Sequence, residues 1–228
     1  MFTFDGPVDF SKRFPDKFFD GGNSFKQELI AKAITNGDAL KCFNKFIELT
    51  DSLPFNESVR SGSVRVLKAL FQCNPQWFVI PTSTSGKYHG GRRGAQNSVG
   101  GIYEHIRACL IVAESVIGRY KDLFTDRSLD SYIEDLSVAC LLHDIGKLNF
   151  DPSLCYSIPT HGEAAVEFIQ TLGVAFNECV LYAIANHMYG WKVAEVFNQV
   201  KNNGVDDLLL MLCMLCECDY FSTHLLTK

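Results

Sequence analysis

Six side chains of metal-ligand type recur from residue 105 onward, in the order His105, His143, Asp144, His161, His187 and Asp219. Imidazole and carboxylate groups together suit manganese, iron, cobalt, nickel or zinc better than magnesium alone. The centre of the series is Leu141–Leu148, which reads LLHDIGKL. Read alone, it is as well explained by a helix stop, with Asp-x-Gly ending the helix and His143 as a core residue. A lone histidine on an apolar face is usually a core residue too. A carboxylate at the end of an apolar stripe, such as Asp219, is harder to explain, because an unpaired buried carboxylate is strongly unfavourable. The neighbours of LLHDIGKL therefore decide its meaning.

Those neighbours lie on elements whose apolar spacing is helical. Ile102, His105, Ile106, Cys109, Leu110, Ala113, Val116 and Ile117 share one face. A helix from near Leu129 carries Ile133, Leu136 and Cys140 and delivers His143, Asp144 and Lys147, with the adjacent His143 and Asp144 about 100° apart around it. Thr160 is placed to cap a helix with His161, Ala164, Ala165, Phe168 and Leu172. Asn177 is placed to cap another, with Val180, Ile184 and His187 in register. A last helix from about Asp206 aligns Leu208, Leu212, Leu215 and Asp219. Each of these five helices aims a potential ligand inward, and a metal centre would partner all of them at once. Four histidines and two aspartates exceed the needs of one tetrahedral ion, so the count favours two divalent ions with a bridging carboxylate. Ions about 3.5–4 Å apart can hold a bridging hydroxide at neutral pH.

The earlier stretch of the chain is less informative. Met1–Gly22 is rich in phenylalanine and reads as an irregular arm. Helices are expected from Asn23 or Ser24 (Leu29, Ile30, Ala33, Ile34), from about Asp38 (Leu40, Phe43, Ile47) and from Asn56 to Phe71 (Val59, Val66, Leu67, Leu70). Trp77 to Ile80 suits a short extended piece. The stretch from Cys73 to Ser98 is a long loop holding Gly86-Lys87-Tyr88-His89-Gly90-Gly91-Arg92-Arg93-Gly94, which fits an anion-contacting loop or a solvated basic turn. It lacks the order of a P-loop. The expected fold class is all-α, divided as an N-terminal helical extension (1–80) and a metal-binding helical domain (81–228).

At 228 residues and 47% hydrophobic composition the chain can bury a substantial core. Its net charge of −5 disfavours coating nucleic acid through bulk charge, while leaving room for a local basic site. Nine cysteines, an odd number lying mostly in apolar segments, fit reduced thiols better than a disulfide framework. Among them Cys213, Cys216 and Cys218 form a CxxCxC that reads as core packing rather than a second metal site. No stretch approaches the roughly 18 apolar residues of a membrane span. A cytoplasmic protein with no membrane partner is expected.

The order of ligands, with LHDIGKL at its centre, resembles the HD-domain superfamily of metal-dependent phosphohydrolases from about Lys87 to Leu225. The resemblance implies an HD-type helical bundle in which His105, His143, Asp144 and Asp219 form the shared ligand set. It further implies that His161 and His187 are the added histidines of binuclear members, with Asp144 as the bridge. GGIYEH, ending at His105, is similar to the GGLLEH stretch of HD-domain 3′-to-5′ exoribonucleases; the longer basic loop and the lack of a recognisable nucleic-acid-binding barrel depart from them. The expected activity is hydrolysis of a phosphate ester or anhydride in a nucleotide, another phosphorylated substrate or a short single-stranded nucleic acid. Beside Asp144, Lys147 is the candidate to touch phosphate or to complement the helix dipole, and His89 the candidate proton donor. Lys87, Arg92 and Arg93 are further phosphate contacts, and Tyr189 can stack on a base. The alternative is an HD-fold oxygenase with a mixed-valent diiron pair, which resembles the same ligand order.

Overall fold

The structure is a computed structural model and describes residues 32, 37–82, 96, 98–124, 127–147, 161–188 and 206–225. Among these residues the fold is all-α. The helices are α1 (Asp38–Ser52), α2 (Glu57–Cys73), α3 (Gly101–Tyr120), α4 (Leu129–Leu142), α5 (His161–Thr171), α6 (Glu178–Asn186) and α7 (Asp207–Leu225). Their starts follow local chemistry. Asn56, Ser128 and Asn177 each accept a backbone N–H of the first turn of α2, α4 and α6 through the side chain, relieving donors that a helix start leaves unpaired.

Helix α7 organises the bundle. Leu210 to Cys216 are all buried, so the helix is apolar around its whole circumference and lies between α3 and α6 rather than on the surface. The CxxCxC cysteines Cys213, Cys216 and Cys218 are core residues, and the eight described cysteines are free thiols. No helix among the described residues is long and apolar enough to cross a membrane. The rim of the α3–α7 contact is held by Glu217, which accepts hydrogen bonds from Tyr120 Oη (2.8 Å) and Arg119. At the opposite end Arg127 pairs with Asp135, and Tyr132 Oη donates to Asp207 (2.7 Å), tying α4 to the start of α7.

Three sequence expectations need correction here. Trp77–Ile80 is not extended: Pro75–Val79 forms a 3₁₀ turn, favoured by proline at its first position. Leu40 is not on the buried stripe of α1; it is 52% exposed, and Ala39, Phe46 and Thr50 face the core instead. Asp144 does not lie on α4. That helix ends at Leu142, and Asp144 belongs to the turn that follows. The Phe-rich arm, the helix expected from Asn23 or Ser24 and the Thr160 cap lie outside the described residues.

The first helices share the core of the rest. Phe46, Trp77 and Phe78 form an aromatic cluster that also meets Tyr103 of α3. Asn56, at the start of α2, gives its backbone N–H and its amide to the two carboxylate oxygens of Glu134 on α4 (2.6 and 2.9 Å). The fully buried Trp77 donates its indole N–H to the backbone carbonyl of Asp144 at 2.9 Å. The 3₁₀ turn thus grips the turn that carries the central aspartate. Trp77→Phe keeps most of the ring volume but orphans a buried carbonyl, so it should cost about 1–3 kcal/mol of folding stability, read from the urea midpoint.

Candidate metal centre

The Asp144 carboxylate sits at the meeting point of four imidazoles. Its Oδ2 lies 3.4 Å from Nε2 of both His105 and His143, and its Oδ1 lies 3.0 Å from His161 Nε2 and 3.7 Å from His187 Nε2. One oxygen faces the α3 and α4 histidines, the other the α5 and α6 histidines. Asp219, on α7, places Oδ1 3.3 Å from His105 Nε2. Asp144 and all four histidines are buried, while the Asp219 side chain, 32% exposed, forms the rim. All six ligand candidates read from the sequence therefore come together.

Local packing explains how. His143 caps α4, and the turn beyond it sets the Asp144 carboxylate 3.4 Å from His143 Nε2. The glycine of LLHDIGKL allows this turn to touch α5. A Cβ on Gly146 would stand 2.1 Å from the His161 carbonyl oxygen and 2.8 Å from the Ala165 nitrogen. Gly146 is not among the glycines of positive φ, so it is needed for space and not as a left-handed helix stop. Gly162 makes room in the same way between α5 and α6: a Cβ there would lie 2.3 Å from the Ile184 carbonyl oxygen and 3.0 Å from His187 Nδ1. In GGIYEH the first glycine has φ +76, and the second faces the Gln96 carbonyl oxygen where a Cβ would approach to 2.0 Å.

The second ring nitrogens fix which atoms point inward. His143 Nδ1 lies 3.0 Å from the Cys140 carbonyl, and His187 Nδ1 lies 2.7 Å from that of Ile184, so each must carry the proton there. Ser222 donates its hydroxyl to the Asp219 carbonyl (2.6 Å), leaving its oxygen to accept from His105 Nδ1 (3.1 Å). The neutral rings of His105, His143 and His187 thus aim Nε2 lone pairs at the site. His105 and His143 Nε2 stand 3.3 Å apart, and His161 and His187 Nε2 3.0 Å. Lone pairs and carboxylate oxygens at such distances need cations or protons between them. This donor set fits divalent metal, and its backbone and serine contacts are the outer support that orients metal-ligating histidines.

Lys147 joins the centre. Its Nζ lies 2.8 Å from Asp144 Oδ2, with the side chain only 13% exposed. It is bound to the central carboxylate rather than extended into solvent at a helix end. Lys87, His89, Arg92, Arg93 and Tyr189 lie outside the described residues. Sequence reasoning missed Trp77 and Ser222. Ser222 falls one helical turn after Asp219, so its spacing was the available signal; Trp77 gave none.

Electrostatics follow the same geometry. Burial opposes charge on Asp144, but His143, Lys147 and His161 outweigh it and hold the carboxyl well below the usual carboxylate range. Burial likewise opposes charge on Asp219, and His105 and His143 outweigh it, so this carboxyl is held low as well. Burial lowers His105 despite Asp219. For His143 burial is overcome by Asp144, so its pKa rises. His187 is lowered to about 4, by burial first and then by the neighbouring His161 and His143 rings. In chelator-treated protein an unfolded His187 takes up a proton below about 6.5, while the folded one does so only near 4. Its contribution is therefore full above about 6.5 and lost as the pH falls toward 4, on the order of 3 kcal/mol. His143 works with the opposite sign: its raised pKa adds stability below about 6.5 that fades as the pH rises through the folded value. His187→Gln should flatten the loss of stability between pH about 6.5 and 4, measured by urea denaturation across that range.

Comparison with known proteins agrees with this arrangement. Residues 102–223, more than half of the chain, match the family described as the HD domain. No curated protein and no solved structure matches the chain significantly. The HD domain implies metal-dependent phosphohydrolase activity in general, and the matched span contains the His/Asp cluster that can hold metal. On this match and this ligand order, the chain belongs to the HD-domain superfamily.

Proposed function

We propose that the protein hydrolyses a phosphate ester or anhydride of a nucleotide or a nucleic-acid 3′ end, using two divalent ions held by the six clustered side chains. The observation that carries this reading is the Asp144 carboxylate, whose two oxygens face separate histidine pairs in a buried site. His105, His143 and Asp219 would hold one ion, His161 and His187 the other, and Asp144 would bridge. When bound, the ions supply a nucleophile activated at neutral pH and neutralise charge on the phosphoryl group.

The chain's own residues do the rest. The Nδ1 contacts of His105, His143 and His187 keep the rings from rotating, so the donor atoms are in place before substrate arrives. Lys147 offsets the Asp144 charge and is close enough to the centre to offer its ammonium to a phosphate oxygen. Thr82 and Gln96, which flank the sequence holding Lys87, His89, Arg92 and Arg93, meet beside this site. Thr82 N donates to the Gln96 carbonyl (2.8 Å), and Gln96 Nε2 donates to the Ser222 carbonyl (2.9 Å). Ser222 in turn contacts His105. The position of these two flanking residues supports a role for the basic residues in holding an anionic substrate, with His89 as proton donor to the leaving oxygen and Tyr189 as a base-stacking ring.

Chelator-treated protein reloaded with Mn²⁺ or Co²⁺ should release phosphate or a nucleotide product anaerobically from a panel of nucleoside phosphates, cyclic nucleotides and short RNA and DNA. Turnover that requires oxygen would replace this reading with the diiron oxygenase one. His143→Ala and Asp144→Ala should abolish turnover and lower metal content. His161→Ala and His187→Ala should each remove about one ion per chain by elemental analysis, as expected if each ion needs its own histidines. Lys147→Met should lower kcat/KM by roughly 10²-fold while leaving metal content unchanged.

A further inference from the structure

We infer that Gln96 is a positioning residue of the metal centre: through the Ser222 carbonyl it holds the end of α7 so that Asp219 and the Ser222 hydroxyl close on the two nitrogens of His105. The inference rests on the two-ion reading above and deepens it by naming a residue, outside the matched span of 102–223, that governs one half of the pair.

The His105 ring is gripped on both sides from one stretch of α7. Asp219 Oδ1 lies 3.3 Å from its Nε2, and Ser222 Oγ lies 3.1 Å from its Nδ1. The same hydroxyl donates to the Asp219 carbonyl at 2.6 Å. The direction of both side chains depends on this turn keeping its helical form, yet α7 ends at Leu225 and helix ends fray. An outside donor meets it there: Gln96 Nε2 donates to the Ser222 carbonyl at 2.9 Å.

Gln96 is itself fixed. It is 1% exposed, and its backbone carbonyl accepts from Thr82 N at 2.8 Å. That carbonyl also presses on Gly101, where a Cβ would stand 2.0 Å away, and the Thr82 hydroxyl donates to the Gly101 carbonyl at 2.9 Å. Gly101 opens α3, the helix that carries His105. Gln96 therefore joins the start of α3 to the end of α7, the two elements that supply His105 and Asp219. The His161 and His187 pair is held by other contacts, the close approach at Gly162 and the Ile184 carbonyl. Loss of the Gln96 amide should therefore fall on one half of the centre.

Zn²⁺ binding to chelator-treated full-length protein, followed by calorimetry, tests this in wild type and in Gln96→Met, which keeps the side-chain length and loses the donor. One of the two affinities should fall roughly 10-fold, the lower end for groups that orient a ligand from outside, while the other holds. In the Zn²⁺-loaded protein the His105 Nδ1 proton, read by NMR, should exchange with solvent faster in the variant, with those of His143 and His187 unchanged. Two intact affinities with unchanged exchange overturn the assignment, and so does an equal fall in both, which is general loosening of the fold. Gln96→Leu replaces the methionine variant if that misfolds. A His105 Nδ1 proton that already exchanges fast in loaded wild type overturns the assignment whatever the variants do. Wild type that binds no Zn²⁺ overturns the metal-centre reading itself, and this assignment with it.

Discussion

Burial of the Asp144 carboxylate is the constraint on which the rest of this structure depends. A carboxylate that is 1% exposed costs several kcal/mol unless its charge is met by partners of good geometry. Here the partners come from four different helices and from the turn itself: His105, His143, His161, His187 and Lys147. No pair of helices can satisfy it alone. The carboxylate therefore makes the association of α3, α4, α5 and α6 mutually dependent, and α7 closes the set with Asp219. Removing one partner leaves the others facing like charge or bare lone pairs, which is why the polar centre specifies a single arrangement of helices that the apolar core alone would leave less defined.

The N-terminal helices belong to that arrangement rather than being an appendage to it. The family match begins at residue 102, yet the hydrogen bond that fixes the Asp144 backbone comes from Trp77. Phe46 and Phe78 pack against this indole, and Asn56 grips α4 through Glu134. Buried side chains before and after residue 80 belong to one core cluster.

Much of this was legible in the sequence because ligands and core share a period. His105, Asp219 and His187 sit on apolar stripes whose 3.6-residue repeat announces both the helix and the face that turns inward. Helix starts were equally legible where Asn56 and Asn177 supply caps. What escaped was everything decided by approach between distant segments. Gly146 reads as a helix stop, whereas its reason is the His161 carbonyl 2.1 Å from where a Cβ would be. Leu40 has the right spacing for a stripe but the wrong phase, since α1 meets the core through Phe46. Trp77 lies in a 3₁₀ turn without periodicity, and its bond spans 67 residues of sequence. Its role is set by tertiary contact and has no local sign.

The same distinction bears on the two halves of the centre. On the α5–α6 side the imidazoles of His161 and His187 meet Asp144 Oδ1, a set of nitrogen and oxygen donors only. On the α3–α7 side His105 and His143 meet Asp144 Oδ2, Asp219 adds a second carboxylate, and the Ser222 hydroxyl holds both the His105 ring and the Asp219 carbonyl. The two sides differ in exposure, because the Asp219 side chain is 32% exposed at the rim while His187 is buried. In the proposed two-ion reading such unequal sides would divide labour, the closed one retaining its ion and the open one leaving positions for substrate oxygen. Lys147, bound to the oxygen of Asp144 that faces His105 and His143, lies on the side of Asp219 and would add positive charge there for the phosphoryl group of the proposed substrate.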